Sequence, residues 1–274
     1  MSAGLAVRAQ RLDDLLRECA SLVVAFSGGV DSAYLAWTAT RTLGERALAV
    51  TAESPSYPDH HRRLARGVAR DFALRHEVIH TREFDRAEYR ANPTNRCYFC
   101  KHELYGALTT LAAARGFAAV ADGSNADDRG DYRPGRQAAR EFGVRSPLEE
   151  AGLDKADIRA LSRQAGLPTW DEPASACLSS RIPYHVPITA AALRSVEQGE
   201  SGLRALGFRV CRVRHHGDLA SVEVAPDEVA RALDPAVLAR IEGVLHEAGY
   251  RRVQIDPRGY RMGSLNEGVA LRPI

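Results

Sequence analysis

The chain has 274 residues, enough to bury a full core in one large α/β domain or two unequal ones. Its 37 Lys+Arg nearly balance 35 Asp+Glu, so composition supplies no polyanion-binding surface, and neither a lysine cluster nor basic residues interleaved with aromatics points to nucleic acid. No apolar stretch approaches the roughly 20 residues that span a bilayer, and Arg8, Arg11, Asp13, Asp14 and Arg17 sit where a secretory apolar segment would lie, which predicts a cytoplasmic protein without a membrane partner.

In chain order, residues 4–20 have helical apolar spacing. Leu22 to Phe26 then form a short apolar run that stops at Ser27-Gly28-Gly29, as a buried parallel strand entering a loop does. A helix is expected over 31–42, and apolar runs at 47–50, 74–79 and 117–121 alternate with helical stretches at 59–71 and 102–115. That is the rhythm of a parallel sheet. SGGVDS, Glu53-Ser54 and Asp122-Gly123-Ser124-Asn125 all follow such runs, and open α/β sheets bind ligands beyond the carboxyl ends of their strands. Pro168, Pro173, Pro183 and Pro187 surround SACLSSRIPY, predicting an ordered connector with little regular structure. Beyond it the pattern is helix 189–206, strand 208–214, strand 219–225, helix 226–248 and strand 251–256, a compact α+β unit. The expected division is a nucleotide-type α/β domain over 1–168, a connector over 169–188 and a small α+β domain over 189–274.

A strand delivering SGGVDS into a helix gathers backbone N–H groups, the Ser27 hydroxyl and a helix N-terminus around one concavity, a ready anion site. Gly28 and Gly29 let the backbone approach the anion. Asp31 repels phosphate by itself, so its expected role is to hold a Mg²⁺ that bridges to phosphates. No lysine follows the loop, which separates it from the GxxxxGK type. Taken alone, a Gly-Gly turn before a helix is equally read as local structure.

Cys97 and Cys100 form a CxxC in NRCYFCKHELY, a spacing that lets two thiolates reach one metal centre. Three readings stay open: a turn with two buried thiols; zinc held by Cys97, Cys100, His102 and Cys177; or a 4Fe-4S cluster on Cys97, Cys100 and Cys177 with one iron lacking a protein ligand. Cys177 lies on the connector beside Arg181, a neighbour that favours the reactive thiolate, although a small buried hydrophobe is the alternative. Cys19 and Cys211 fall at core positions, and in a reducing compartment none of the five cysteines is expected in a disulfide. Arg212 and Arg214 alternate on a strand in RVRHHGDL, so both project from one face, suited to a phosphate or else to solvent. His215 and His216 adjoin them. Asp127 and Asp128 in DGSNADD are read as metal helpers or as a helix cap.

The string VVAFSGGVDS resembles the PP-loop of the ATP pyrophosphatases, which split ATP into AMP and pyrophosphate and admit a nitrogen or sulfur nucleophile to the adenylated oxygen. With SGGVDS, ESPSYP, NRCYFCK, DGSNADD, PGRQAARE, SACLSSRIPY and RVRHHGDL in order, the chain resembles the LarE family over about residues 20–260. The resemblance implies an α/β PP-loop domain of the adenine nucleotide alpha hydrolase type, with a second, smaller α+β domain. It implies a sulfur transferase that adenylates a carboxylate of pyridinium-3,5-biscarboxylic acid mononucleotide, a small-molecule substrate, in making the nickel-pincer cofactor of lactate racemase. Carried over, Ser27, Gly28, Gly29, Asp31 and Ser32 bind the pyrophosphate part of ATP, Asp31 holds Mg²⁺, Glu53, Ser54, Asp122 and Gly123 lie by the nucleotide, and Ser180, Arg181, Arg212 and Arg214 contact substrate. Cys177 matches the family's sulfur-delivering cysteine. In one branch that cysteine gives up its own sulfur; in another, three cysteines hold a 4Fe-4S cluster, and Cys97, Cys100 and Cys177 resemble that branch. Relatives are hexamers built from trimers, so a homo-oligomer is implied. The rival readings are a tRNA thiolase, an ammonia-using ligase and a nucleotide-binding regulator that does not turn ATP over.

Overall fold

The computed structural model describes residues 2–130, 134–174 and 176–261. The first helix, α1 (Ala3–Glu18), starts where the Ser2 hydroxyl accepts the Leu5 N–H, and it buries Leu12, Leu15 and Leu16. Then follow β1 (Leu22–Ala25), α2 (Val30–Leu43), β2 (Ala47–Glu53), α3 (Asp59–Asp71), β3 (His76–His80), α4 (Ala87–Arg90), α5 (Arg96–Ala114) and β4 (Ala119–Ala121). These four strands form an all-parallel sheet in the order β3-β2-β1-β4, with Leu22 opposite Ala47 on one side and Ala119 on the other. Strand β1 is therefore paired at both edges and covered on both faces. Leu22, Val23 and Val24 are all buried, which is why the strand reads as an unbroken apolar run and not as an alternation. One face packs Leu12, Phe26 and Leu35, the other Val23, Leu48, Tyr105 and Leu108.

Three short helices complete this half: α6 (Gly135–Glu141), α7 (Pro147–Glu150) and α8 (Lys155–Gln164). Helix α8 opens on a capping box in which Asp154 and Asp157 satisfy each other's backbone N–H. The connector carries one 3-10 turn over Leu178–Arg181. Beyond it lie α9 (Ala190–Ala205), β5 (Cys211–His216), β6 (Leu219–Val224), α10 (Val229–Ala232), α11 (Pro235–Glu247) and β7 (Arg252–Ile255). The second sheet runs β5-β6-β7, antiparallel then parallel, over a separate core of Val213, Val222, Ile241 and Leu245. The chain is thus α/β, with a parallel sheet and a smaller mixed one. Tyr89, Leu178, Ile182, Ile188, Leu193 and Val196 form a further cluster that seats the connector.

Four elements differ from the sequence expectation. Helix α5 begins at Arg96 and not near 102, so the CxxC lies in its first two turns; its aromatics and cysteines have weak helix propensity, but burial of Tyr105 and Leu108 carries the helix. The predicted helix 226–248 is broken at Pro235, which lacks an N–H and restarts the chain as a first helical residue, with Asp234 accepting from Ala236 and Val237 N–H. The predicted strand 208–214 begins only at Cys211, because Phe208 follows Gly207 at φ +89° and is buried under the Arg231 guanidinium. The predicted strand 74–79 begins at His76, since Leu74 N–H still bonds Ala69 O at the end of α3.

Candidate active site at the glycine loop and the cysteine connector

The loop leaving β1 curls onto the start of α2. Ser27 N–H donates to Ser32 Oγ at 3.1 Å, the two serine hydroxyls share a 3.0 Å hydrogen bond, and Ser32 Oγ donates to Gly29 O at 3.2 Å. Gly28 has φ +71°, and a Cβ there would stand 2.8 Å from Ala65 N and 2.9 Å from His61 O, so only glycine lets the loop lie against α3. A Cβ on Gly123 would meet Ser32 N at 3.0 Å, which brings the DGSNADD loop equally close to α2. Gly29 gives α2 no side-chain cap, leaving the first-turn N–H groups to the concavity.

The acidic residues divide by how they are engaged. Asp31 pairs with the Lys155 ammonium, and its Oδ1 accepts from Asn125 Nδ2 at 3.4 Å. Asp122 is buried and takes three donors: Tyr105 OH at 2.6 Å, Ser146 OH at 2.9 Å and Ser124 N–H at 3.1 Å. Its carboxylate braces the strand end, and Gly123 is the part of the pair that meets α2. Asp127 accepts the Lys155 N–H at 3.0 Å and Asp128 the Asn125 N–H at 3.1 Å, so both act on loop and helix backbone. Glu53 is bound by Arg62 at 3.1 Å and Arg66 at 3.0 Å.

The ESPSYP loop ties the glycine loop to the connector. Tyr57 OH donates to Ser27 O at 3.0 Å, and Leu178 N–H donates to Ser56 O at 2.9 Å, immediately after Cys177. Ser54 and Ser56 hydroxyls are 3.0 Å apart, and Ser56 OH reaches buried Glu83 at 3.2 Å. Cys97 is exposed and Cys100 lies one turn along α5, so their side chains share a face. Burial pushes the Cys100 thiol up, and Glu83, Cys177 and Cys97 press the same way. Buried Tyr89 is likewise pushed up by burial, then by Cys177 and Cys100, while its OH shares a 2.7 Å hydrogen bond with Ser179. Cys97 and Cys177 thus both act on the Cys100 thiol. Among the described residues no three His, Cys, Asp or Glu side chains stand ready to hold a metal ion. His102 packs against the Phe142 ring, with centroids 4.9 Å apart, and does not complete a ligand set.

Arg181 differs from the expectation of a substrate contact. Its side chain is fully buried, bidentate to Glu200 at 2.7 and 2.9 Å, and it donates to Ala176 O at 2.7 Å and Cys177 O at 3.0 Å. The guanidinium shapes the cysteine loop from beneath, and its charge is committed to Glu200. Ser180 OH also donates to Cys177 O, at 2.8 Å. Arg212 and Arg214 do share one face of β5, which is an edge strand. They are not solvated: Arg212 is buried beneath the Tyr260 ring and donates to Cys211 O and Ala174 O, while Arg214 donates to Ser180 O at 3.0 Å and Glu223 at 2.7 Å. His215 and His216 are pushed down by burial.

Sequence reasoning did not single out Lys155, Glu200, Tyr57 or His61. The signal for Lys155 was its rarity, since the chain has only two lysines. The others carried none, because each acts through a partner far away along the chain. Cys19 and Cys211 are buried as expected.

No protein-family model matches the chain. Curated relatives do. A protein of Synechocystis without assigned function is 42% identical over 94% of this chain and 96% of its own length. The pyridinium-3,5-bisthiocarboxylic acid mononucleotide synthase of Lactiplantibacillus plantarum is 34% identical over 97% of this chain and 96% of its own. An uncharacterised protein of Methanocaldococcus jannaschii is 26% identical over 88% of this chain and 90% of its own.

Proposed function

The chain belongs to the LarE family of pyridinium-3,5-bisthiocarboxylic acid mononucleotide synthases, and from that premise we propose that it uses ATP to turn a carboxylate of pyridinium-3,5-biscarboxylic acid mononucleotide into a thiocarboxylate. A carboxylate resists nucleophiles until its oxygen becomes part of a phosphoanhydride. In the proposed reaction a substrate carboxylate oxygen attacks the α-phosphorus of ATP, and the bond to the β-phosphate breaks with its electron pair leaving on pyrophosphate. A sulfur nucleophile then adds to the acyl carbon and AMP departs. The Ser27–Ser32 loop and the uncapped start of α2 offer donors to the phosphates. Asp31 is the carboxylate at hand for a Mg²⁺ that offsets the charge on pyrophosphate, once Lys155 yields it. Arg212 and Arg214 supply a guanidinium pair on the second sheet for a substrate phosphate, and Arg181 positions the Cys177 loop.

The observation that carries this reading is a pair of hydrogen bonds, Tyr57 OH to Ser27 O and Leu178 N–H to Ser56 O, by which adjacent residues of one loop tie the glycine loop to the connector that carries Cys177. Three thiols fit a cluster by donor type, and Cys97, Cys100 and Cys177 are the residues that would hold it, Cys97 and Cys177 both acting on the Cys100 thiol. A bound 4Fe-4S cluster with one iron free of protein ligands would supply a place for exogenous sulfide. The CxxC pair of Cys97 and Cys100, present in addition to Cys177, favours this over Cys177 giving up its own sulfur.

The test combines Mg-ATP, the mononucleotide and sulfide under anaerobic conditions. Cys177→Ser is expected to keep pyrophosphate release and lose thiocarboxylate, whereas Asp31→Ala loses both. Cys97→Ser is expected to abolish repeated turnover and lower iron and acid-labile sulfide in the reconstituted protein. Full thiocarboxylate formation by Cys177→Ser refutes the sulfur-delivery reading. Loss of H₂S from Cys177 after a single turnover assigns the sulfur to that residue instead.

A further inference from the structure

Lys155 is one of two lysines in a chain with 35 arginines, and it stands at the phosphate loop. It is the first residue of α8, where Asp127 holds its backbone N–H at 3.0 Å and the capping box of Asp154 and Asp157 fixes the helix start. From there its ammonium pairs with Asp31 Oδ2, while Asn125 Nδ2 approaches the other oxygen at 3.4 Å. Three segments distant in sequence thus converge on one carboxylate.

The electrostatics of the loop make this pairing consequential. Between Ser27 and Ser32 the sole charged side chain is Asp31, which repels a triphosphate. Backbone donors and a helix N-terminus offset part of that repulsion, and Lys155 brings the full positive charge. The pair is also exchangeable, because the Lys155 and Asp31 side chains remain 34% and 23% exposed, so solvent and ligand reach both. An arginine here would fork onto both carboxylate oxygens; an ammonium on a flexible stem makes a compact contact that can pass from one anion to another.

We propose that Lys155 is the phosphate cation of this site: it neutralises Asp31 in the nucleotide-free protein and passes to the β- and γ-phosphate oxygens when Mg²⁺ takes Asp31. There it meets, through N–H donors, the charge that collects on pyrophosphate as the α-phosphorus is attacked. The inference rests on the adenylation reading above.

The test is calorimetric titration of Mg-ATP and of Mg-AMP into the wild type, Lys155→Gln and Lys155→Arg. Lys155→Gln is expected to weaken ATP by about ten- to hundredfold, to leave AMP within about twofold, and to slow pyrophosphate release about a hundredfold; Lys155→Arg recovers part of the ATP affinity. Equal weakening of ATP and AMP, or unchanged ATP affinity, overturns the assignment and leaves the adenylation reading standing. A wild type that binds no ATP sinks that reading instead. Should Lys155→Gln fail to fold, the wild type answers alone. Reductive ¹³C-dimethylation labels only the two lysines and the amino terminus, and Lys101→Arg assigns the signals. The Lys155 resonance is expected to move with Mg-pyrophosphate and not with Mg-AMP, and an equal response to both, or none to either, overturns the proposal.

Discussion

His61 lies beneath the glycine loop, 6% exposed, with Nδ1 3.4 Å from Ser27 O and its backbone carbonyl against Gly28. Burial, aided by His60, lowers its pKa from 6.5 to about 4, so the ring is neutral in the folded protein at pH 7. Because the unfolded chain takes the proton first, stability present above pH 6.5 is lost as pH falls towards 4. Between pH 6.5 and 5 this one group costs about 2 kcal/mol. Urea unfolding at pH 7.5 and pH 5 is expected to show that loss in the wild type and a smaller one in His61→Gln. At this scale the glycine loop was legible, because Gly28 and Gly29 between a buried strand and a helix have a local meaning. Lys155 was not, since nothing near it in sequence says that α8 points it at Asp31, 124 residues away.

Among the elements, α9 and α11 are set by glycine. A Cβ at Gly202 would stand 2.2 Å from Val244 Cγ1, and one at Gly199 2.8 Å from Leu245 Cδ2, so side chains of α11 seat directly on the backbone of α9. Alanine gains roughly 1 kcal/mol of helix propensity over glycine. Overpacking costs typically 1–3 kcal/mol, and the stiff Val244 side chain cannot swing aside. Gly202→Ala is therefore expected to lower the unfolding free energy by about 1 kcal/mol, and Gly202→Ala/Val244→Ala to recover most of it in thermal melts. The same competition between local and tertiary terms explains α5. Its aromatic, cysteine-bearing first turns are poor helix formers, yet packing makes them helical and so puts Cys97 and Cys100 on one face.

At the scale of the whole molecule, the connector is held by an ion pair with no exposed surface. Arg181 and Glu200 join the cysteine loop to α9, and Glu200 also accepts from Arg204 at 3.1 Å and from Val213 N–H at 3.2 Å. Removing one member of such a pair leaves the other charge buried, a cost of about 3–5 kcal/mol. Glu200→Gln is expected to lose that much stability in urea and to speed hydrogen exchange over 176–181, whereas Arg181→Met/Glu200→Leu, which removes both charges, loses less.

The sequence by itself determined the parallel α/β half, the glycine loop between β1 and α2 and the irregular connector that carries Cys177, because apolar runs, glycines and prolines act on their own neighbourhood. Tertiary structure alone decided which charges face the site and which are spent inside it. Arg181 is consumed by Glu200, Asp122 by Tyr105, Ser124 and Ser146, and Asp31 meets Lys155. A side chain's charge is written in the chain, but its partner is chosen by packing among elements that lie far apart along it.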